Sequence, residues 1–353
     1  MKIDFGVASG RNDKIADIPE LARVAEDNGF VHLSFLDSQN LCRDVYSMMT
    51  LVALNTTRIH TGQTVTNPFT RHPSVTANAT ATVNELSGGR VFLGIGSGFS
   101  SVATMGLKAR PIEEMRKSIQ FFRDYMSGKE VEFDGVKMHS EWIRDVAPIV
   151  VAAEGPKSLE VAGALADGVV FMGGLPFFMK WKVDKIHQGA EKAGRDPSEI
   201  DIWVRSYIYV ADSKEQAHRE VSTVLSFNGG IPHLNLDNPE MEAICKQAEK
   251  EQPGLLDEIS KVKQAMAKEA KKYNSPLGFN PWFETIDAPW APLVTQRMID
   301  NIHLVGKPED ICEGIDRYAQ VGIKTIAASL YSIIDKKDML KEIGEKVMPN
   351  FRN

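Results

Sequence analysis

Residues 59–95 open with Ile59-His60-Thr61-Gly62-Gln63-Thr64-Val65 and continue through a polar run to His72. A helix follows from about Pro73 to Leu86, and Val91-Phe92-Leu93-Gly94-Ile95 closes the stretch. A short strand, a helix and a second short strand, repeated, imply a parallel sheet. Pro73 suits a first helical turn, where its missing N–H costs nothing.

The same alternation extends in both directions. Upstream lie a strand at Ile3–Ala8, a helix at Ile18–Asn28 stopped by Gly29, a strand at Val31–Leu36 and a helix at Val45–Asn55 capped by Asp44. Downstream, a helix from about Pro111 to Met126 carries Glu113 and Glu114 in its first turn, where the dipole favours acids. Strands at 148–152, 168–172, 201–210 and 323–329 then alternate with helices at 156–166, 178–193, 213–226, 308–321 and 336–347. Two stretches interrupt the series. Residues 130–147 hold a β-hairpin excursion around Val131–Val136. Residues 228–300 show no strand signal and form a helical insertion before the last helix–strand pair, with helical segments at 239–250 and 254–273. Pro276 to Pro292 is rich in Pro and Trp, and Trp282, Phe283 and Trp290 either line a pocket or pack in the core or a lid. Eight strand–helix repeats across about 250 core residues favour a (β/α)8 TIM barrel over a doubly wound sheet. One barrel domain spanning residues 1–353 is the expectation.

Composition agrees with a soluble globular protein. The 353 residues are 43% hydrophobic and 25% charged, and 41 basic against 47 acidic residues give a formal charge of −6. That acidity offers no electrostatic footprint for nucleic acid or an anionic membrane. No apolar stretch approaches the roughly 18 residues of a spanning helix, and the first residues do not read as a signal peptide. Cys42, Cys245 and Cys312 are few and far apart, as in a reduced, cytoplasmic protein.

In such a barrel, chemistry collects where strands end. The loop after the second strand begins Asp37-Ser38-Gln39-Asn40. After the third, Thr64-Val65-Thr66-Asn67-Pro68-Phe69-Thr70-Arg71-His72-Pro73 is dense in hydrogen-bonding groups and stiffened by two prolines. Gly94-Ile95-Gly96-Ser97-Gly98 follows the fourth strand with G-x-G-x-G spacing, unlike a Rossmann fingerprint. Its glycines allow either close packing or close approach to a flat ligand. Gly155-Pro156-Lys157-Ser158 opens a helix, either as an ordinary proline-led first turn or as a start whose free N–H groups favour an anion. Gly173-Gly174 supplies another close-approach loop nearby. No histidine or cysteine spacing points to a metal site.

These blocks resemble the bacterial-luciferase superfamily of (β/α)8 flavin and deazaflavin enzymes, and within it the methylene-tetrahydromethanopterin reductase branch, which uses coenzyme F420. The blocks are Ala25-Glu26-Asp27-Asn28-Gly29-Phe30, Thr66 to Pro73, Leu86-Ser87-Gly88-Gly89-Arg90, Gly94 to Gly98, Gly155-Pro156, Gly163-Ala164-Leu165-Ala166-Asp167-Gly168 and Met348-Pro349-Asn350-Phe351-Arg352. The resemblance implies a cofactor ring at the barrel mouth, against a non-prolyl cis peptide that aligns with Thr64-Val65. It places the cofactor phosphate on Gly155 to Ser158, and turns Asp37 and Asn67 toward the cofactor. The chain departs from family reductases at three polar positions: Ala8 stands for a glutamate, Phe99 for an acid, and Ser38 for the histidine of an Asp-His pair.

The resulting expectation is an F420-dependent oxidoreductase acting on a small organic substrate, a homodimer by analogy. Asp37 and His72 are the candidate proton-handling groups, with Ser38 and Ser100 as helpers. The alternatives are an FMN-dependent monooxygenase, in which Phe99 would shield an oxygen adduct, and a non-catalytic flavin or deazaflavin binder. Residues 228–300 would cover the mouth as a lid.

Overall fold

The computed structural model describes residues 2–9, 13–108, 110–220, 239–272, 288–330 and 335–352. Its strands are β1 (Asp4–Ser9), β2 (His32–Phe35), β3 (His60–Gln63), β4 (Val91–Ile95), β5 (Val131–Phe133), β6 (Val136–Met138), β7 (Ile149–Ala152), β8 (Gly168–Met172), β9 (Asp201–Val210), β10 (Leu304–Gly306) and β11 (Thr325–Ser329). Eight of them close a parallel ring in the order β1, β2, β3, β4, β7, β8, β9, β11, with β11 returning to β1. The chain is therefore a (β/α)8 barrel. The antiparallel pair β5–β6 is the expected excursion, and β10 pairs with β9 outside the ring.

Helices α1 (Ile18–Asp27), α2 (Val45–Asn55), α3 (Pro73–Ser87), α4 (Phe99–Ala103), α5 (Ile112–Met126), α6 (Pro156–Leu165) and α7 (Pro176–Lys192) come from the first two hundred residues. Asp44 caps α2 as its sequence position suggests, accepting a hydrogen bond from Ser47 N at 2.9 Å. Two charged residues from the family-like blocks lock the loop that feeds β3. The Glu26 carboxylate accepts from the backbone N–H groups of Thr57, Arg58 and Ile59 at 3.0, 2.6 and 2.8 Å. Partial burial works against the charge, but these donors hold the Glu26 carboxyl below its ordinary range. Arg90 donates from the other side to the carbonyls of Ala53, Thr56 and Ile59.

Side chains alternate along each strand, so every second one enters the barrel. His32, Phe92 and Trp203 fill its lower half: His32 stacks on Trp203 at 4.5 Å between centroids, and Phe92 meets Trp203 edge-on at 5.1 Å. Gly6 is obligatory beside them, since a Cβ there would lie 1.9 Å from His32 Nε2. Above this plug the inward residues are small, among them Ala8, Ser34, Thr64, Gly94 and Ala152, which leaves room at the C-terminal mouth.

Several expectations need correction. β3 ends at Gln63, short of Val65; the Thr64–Val65 peptide is cis, as the resemblance implied. Pairing resumes only as a single bridge from Thr66 to Ile95. β10 was not expected, because three residues are too few to show alternation. Helix α4 was also unforeseen. Within 228–300, the described residues form helices at Glu242–Glu251, Leu255–Lys272 and Gln296–Ile302. Trp290 is fully buried, as a core residue. Trp282, Phe283 and the end of the helix expected at 213–226 lie outside the described residues. None of the three cysteines is in a disulfide, and no helix among the described residues is long and apolar enough to cross a membrane.

Candidate functional site

The ends of β2, β3, β4, β7, β8 and β9 surround a cavity of about 430 Å³ at the C-terminal mouth. Ten of the residues singled out in the sequence border it: Asp37, Ser38, Thr64, Val65, Gly96, Ser97, Gly98, Ser100, Gly155 and Ser158. The barrel thus assembles one site from four loops that run from Asp37 to Ser158 in sequence.

The glycines at the end of β4 and just after it have two different reasons for being glycine. Gly94 is packing: a Cβ would stand 1.7 Å from the Gln63 carbonyl oxygen. Gly96 would press on Val65 Cγ2 at 2.8 Å, so it shapes the cavity wall against the cis segment. Gly155 belongs to neither class. Its φ is −90°, open to any residue, and an added Cβ would meet nothing nearer than Ser158 Oγ at 3.8 Å. Gly174 likewise has open space beside it.

Asp37 is buried and heavily engaged. Thr66 Oγ1 donates to its Oδ2 at 2.6 Å, and Arg71 grips both carboxylate oxygens, with Nη2 3.0 Å from Oδ1. Arg71 also lies over the Tyr46 ring. Burial, then the charge of Asp37, pushes the Tyr46 hydroxyl up. Asp37 is thus an oriented, ion-paired acceptor. Ser38 and Ser100 hydrogen-bond each other at 2.7 Å on the cavity wall. Thr64 Oγ1 is 3.0 Å from Ser34 Oγ, which fixes the hydroxyl beside the cis peptide.

Other expected residues stay out of the cavity. His72 is exposed and caps α3: its Nδ1 contacts Ser74 N at 3.2 Å and Ser74 Oγ at 2.7 Å, and its ring packs on Phe133. A residue preceding Pro73 at a helix start is in the right place for a cap, which accounts for it. Asn67 is buried, but its side chain is consumed by the loop: Phe69 N and Thr70 N donate to it, and it donates to Ser101 Oγ at 2.8 Å. Pro156, Lys157, Gly173 and Gly174 do not border the cavity. Phe99 starts α4, and its side chain lies outside the described ones.

Sequence reading missed three charged side chains. Arg71 stood in the quoted loop without a role. Glu154 borders the cavity, accepts from Met172 N at 2.7 Å and pairs with buried Lys182 at 2.5 Å, which ties β7 to β8 and α7. Arg205 borders the cavity from β9. Its signal was present: a cation inside the apolar strand Asp201–Val210. Among the described residues, no cluster of His, Cys, Asp or Glu could hold a metal ion.

Comparisons with known proteins agree with this geometry. A 5,10-methylenetetrahydromethanopterin reductase from Methanolobus tindarius is 30% identical over 352 residues, covering 98% of this chain and 99% of that protein. One from Archaeoglobus fulgidus is 28% identical over 99% of both chains. The solved structure of the coenzyme F420-dependent tetrahydromethanopterin reductase from Methanopyrus kandleri superposes with a TM-score of 0.79 at 26% identity, covering 99% of this chain and 100% of that one. The profile described as luciferase-like monooxygenase matches residues 2–325. With that profile matching most of the chain and relatives aligned end to end, the chain belongs to the bacterial luciferase-like family.

Proposed function

We propose that this protein is an F420-dependent oxidoreductase that moves a hydride between the deazaflavin and a small organic substrate. The relatives named above are reductases by name, and the solved one is named as dependent on coenzyme F420. The observation that carries it to this chain is Gly155. Neither its φ nor its packing requires a glycine, yet it keeps space open at the N-terminus of α6, on the cavity wall. A helix start leaves N–H groups unsatisfied and favours an anion, so a cofactor phosphate fits there. The residues present fit the group.

The backbone N–H groups of Lys157 and Ser158, beside the open face of Gly155, would hold the phosphate; Pro156 has no N–H, and the Gly155 N–H already donates to Ser158 Oγ at 3.1 Å. Thr64, Val65, Gly96, Ser97 and Gly98 would form the wall for the flat ring, with Gly173 and Gly174 nearby. Bound F420 supplies the hydride chemistry, and the protein supplies orientation and electrostatics. Ser38 and Ser100 hold a hydrogen-bonded pair of hydroxyls at the wall, able to donate to a substrate oxygen. Asp37, fixed by Arg71 and Thr66, sets the position of the β2 and β3 loop ends around them. His72 has no part in this arrangement.

Residues 228–300 would act as a lid that shapes substrate choice; nicking there should change substrate preference without changing cofactor affinity. A symmetric homodimer in the cytoplasm fits the chain. Its surface helices α2 and α3 carry one charged residue between them, Glu85, and expose Leu54, Val75 and Leu86. Light scattering tests this.

Fluorescence titration of purified protein with F420 and with FMN tests the main reading. Micromolar or tighter F420 binding with weak FMN binding is expected. The reverse preference, with oxygen uptake in the presence of FMNH2, would overturn it in favour of a monooxygenase. Binding without turnover across a broad panel would leave a non-catalytic carrier.

A further inference from the structure

Three charged side chains border the cavity: Asp37, Glu154 and Arg205. The two acids each have a cation of their own, Arg71 and Lys182. Arg205 has no such counterpart. Its Nε donates to Ser329 Oγ at 2.8 Å, and among the described residues no carboxylate pairs with it. Among the described residues, therefore, one positive charge at the cavity is left without a compensating carboxylate.

The position of that charge follows from the strand. Trp203 points into the barrel, stacked on His32. Arg205, two residues further toward the mouth, points the same way one layer higher. In the ring order β3, β4, β7, β8, β9, strand β9 stands four places from β3 in an eight-membered circle. Arg205 thus faces the Thr64–Val65 wall from directly across the barrel. The bond from Nε to Ser329 fixes the guanidinium plane and leaves Nη1 and Nη2, the fork that matches a carboxylate or phosphate. A partly buried cation without a partner is costly to keep, and an anionic ligand removes that cost.

We propose that Arg205 is the docking group for an oxyanion head, carboxylate or phosphate, carried by the substrate. The body of that substrate lies on the apolar wall beside β9, formed by Val170, Phe171 and Met172 of β8. This rests on the reading of the β3 and α6 sides as the cofactor's place, which leaves the β9 side to the substrate.

The test uses F420-loaded protein and three aromatic probes: benzoate, phenyl phosphate and neutral benzamide. Thermal unfolding reports probe binding, and F420 fluorescence reports the cofactor separately. In the wild type, benzoate or phenyl phosphate raises Tm saturably and benzamide does not; which anion is preferred identifies the head group. In Arg205→Met the anion response is lost while F420 affinity is unchanged. In Arg205→Lys, which keeps the charge but not the fork, anion affinity falls at least tenfold. Ser329→Ala, which frees Nε and keeps the cation, weakens the response and serves if Arg205→Met does not fold. An absent anion response in the wild type, or an equal one in Arg205→Met, overturns the proposal. A loss of F420 affinity in Arg205→Met also overturns it, by assigning the arginine to the cofactor. If the wild type binds no F420, the cofactor reading fails by itself, and the anion titrations are still decisive on the unloaded protein.

Discussion

Arg71 holds the buried carboxylate of Asp37 by both oxygens, with Nη2 3.0 Å from Oδ1, at the point where the loops after β2 and β3 meet. The aspartate side chain is 3% exposed and the arginine 20%. Removing Arg71 leaves a buried, uncompensated charge. Arg71→Met should therefore cost about 3 kcal/mol, the lower end of the range for breaking a buried pair. Asp37→Asn in the same chain should return part of that loss. Urea denaturation of the two single variants and the double variant measures the coupling.

His32 gives the fold a dependence on acid. Burial first, then the neighbouring charge of His60, pushes its ring down from the usual 6.5 to about 3. Between those values the unfolded chain binds a proton that the folded one does not. Stability therefore falls as pH is lowered, by about 1.4 kcal/mol per pH unit from this group. His32→Phe should flatten the slope by one proton between pH 6 and pH 4 in urea melts. An unchanged slope would place the acid sensitivity elsewhere.

Two glycines separate packing from ligand approach. Gly94→Ala puts a methyl group into the Gln63 carbonyl at 1.7 Å and should abolish soluble, folded protein. Gly155→Ala meets no atom of the chain within 3.8 Å and should leave Tm unchanged. Its methyl group enters the space assigned to the cofactor phosphate, so F420 affinity should drop at least tenfold. Equal F420 binding by wild type and Gly155→Ala would count against that assignment.

His72→Ala removes a helix cap from α3. The expected cost is about 0.5–1 kcal/mol of stability, with an F420 titration that overlays the wild type. A large loss of cofactor affinity or turnover would return the histidine to the site.

The βα rhythm was legible because hydrophobic burial leaves a local trace. A strand buried on both faces needs a short apolar run, and an outer helix needs one apolar stripe, and both are visible within ten residues. Even Gly29, Asp44 and Pro73 act on their immediate neighbours. β10 escaped because it is three residues long and takes its stability from β9. The cavity was legible only in part. Thr64, Gly96, Gly155 and Ser158 could be named because they end strands or begin helices, and a barrel brings those ends together.

Sequence alone determined the barrel, the loops that form its mouth and the family to which they are similar, since each is set by local pattern or residue order. Tertiary structure decided which polar groups remain available. Asn67 and His72 carry suitable chemistry but are consumed by turns and caps, while Asp37 and Glu154 are neutralised by Arg71 and Lys182. Those partners lie 34 and 28 residues away in the chain, and no local pattern encodes them. Among the described residues no carboxylate shares the charge of Arg205, for the same reason: whether a cation has a partner depends on the positions of every strand around it, and only the closed ring fixes those.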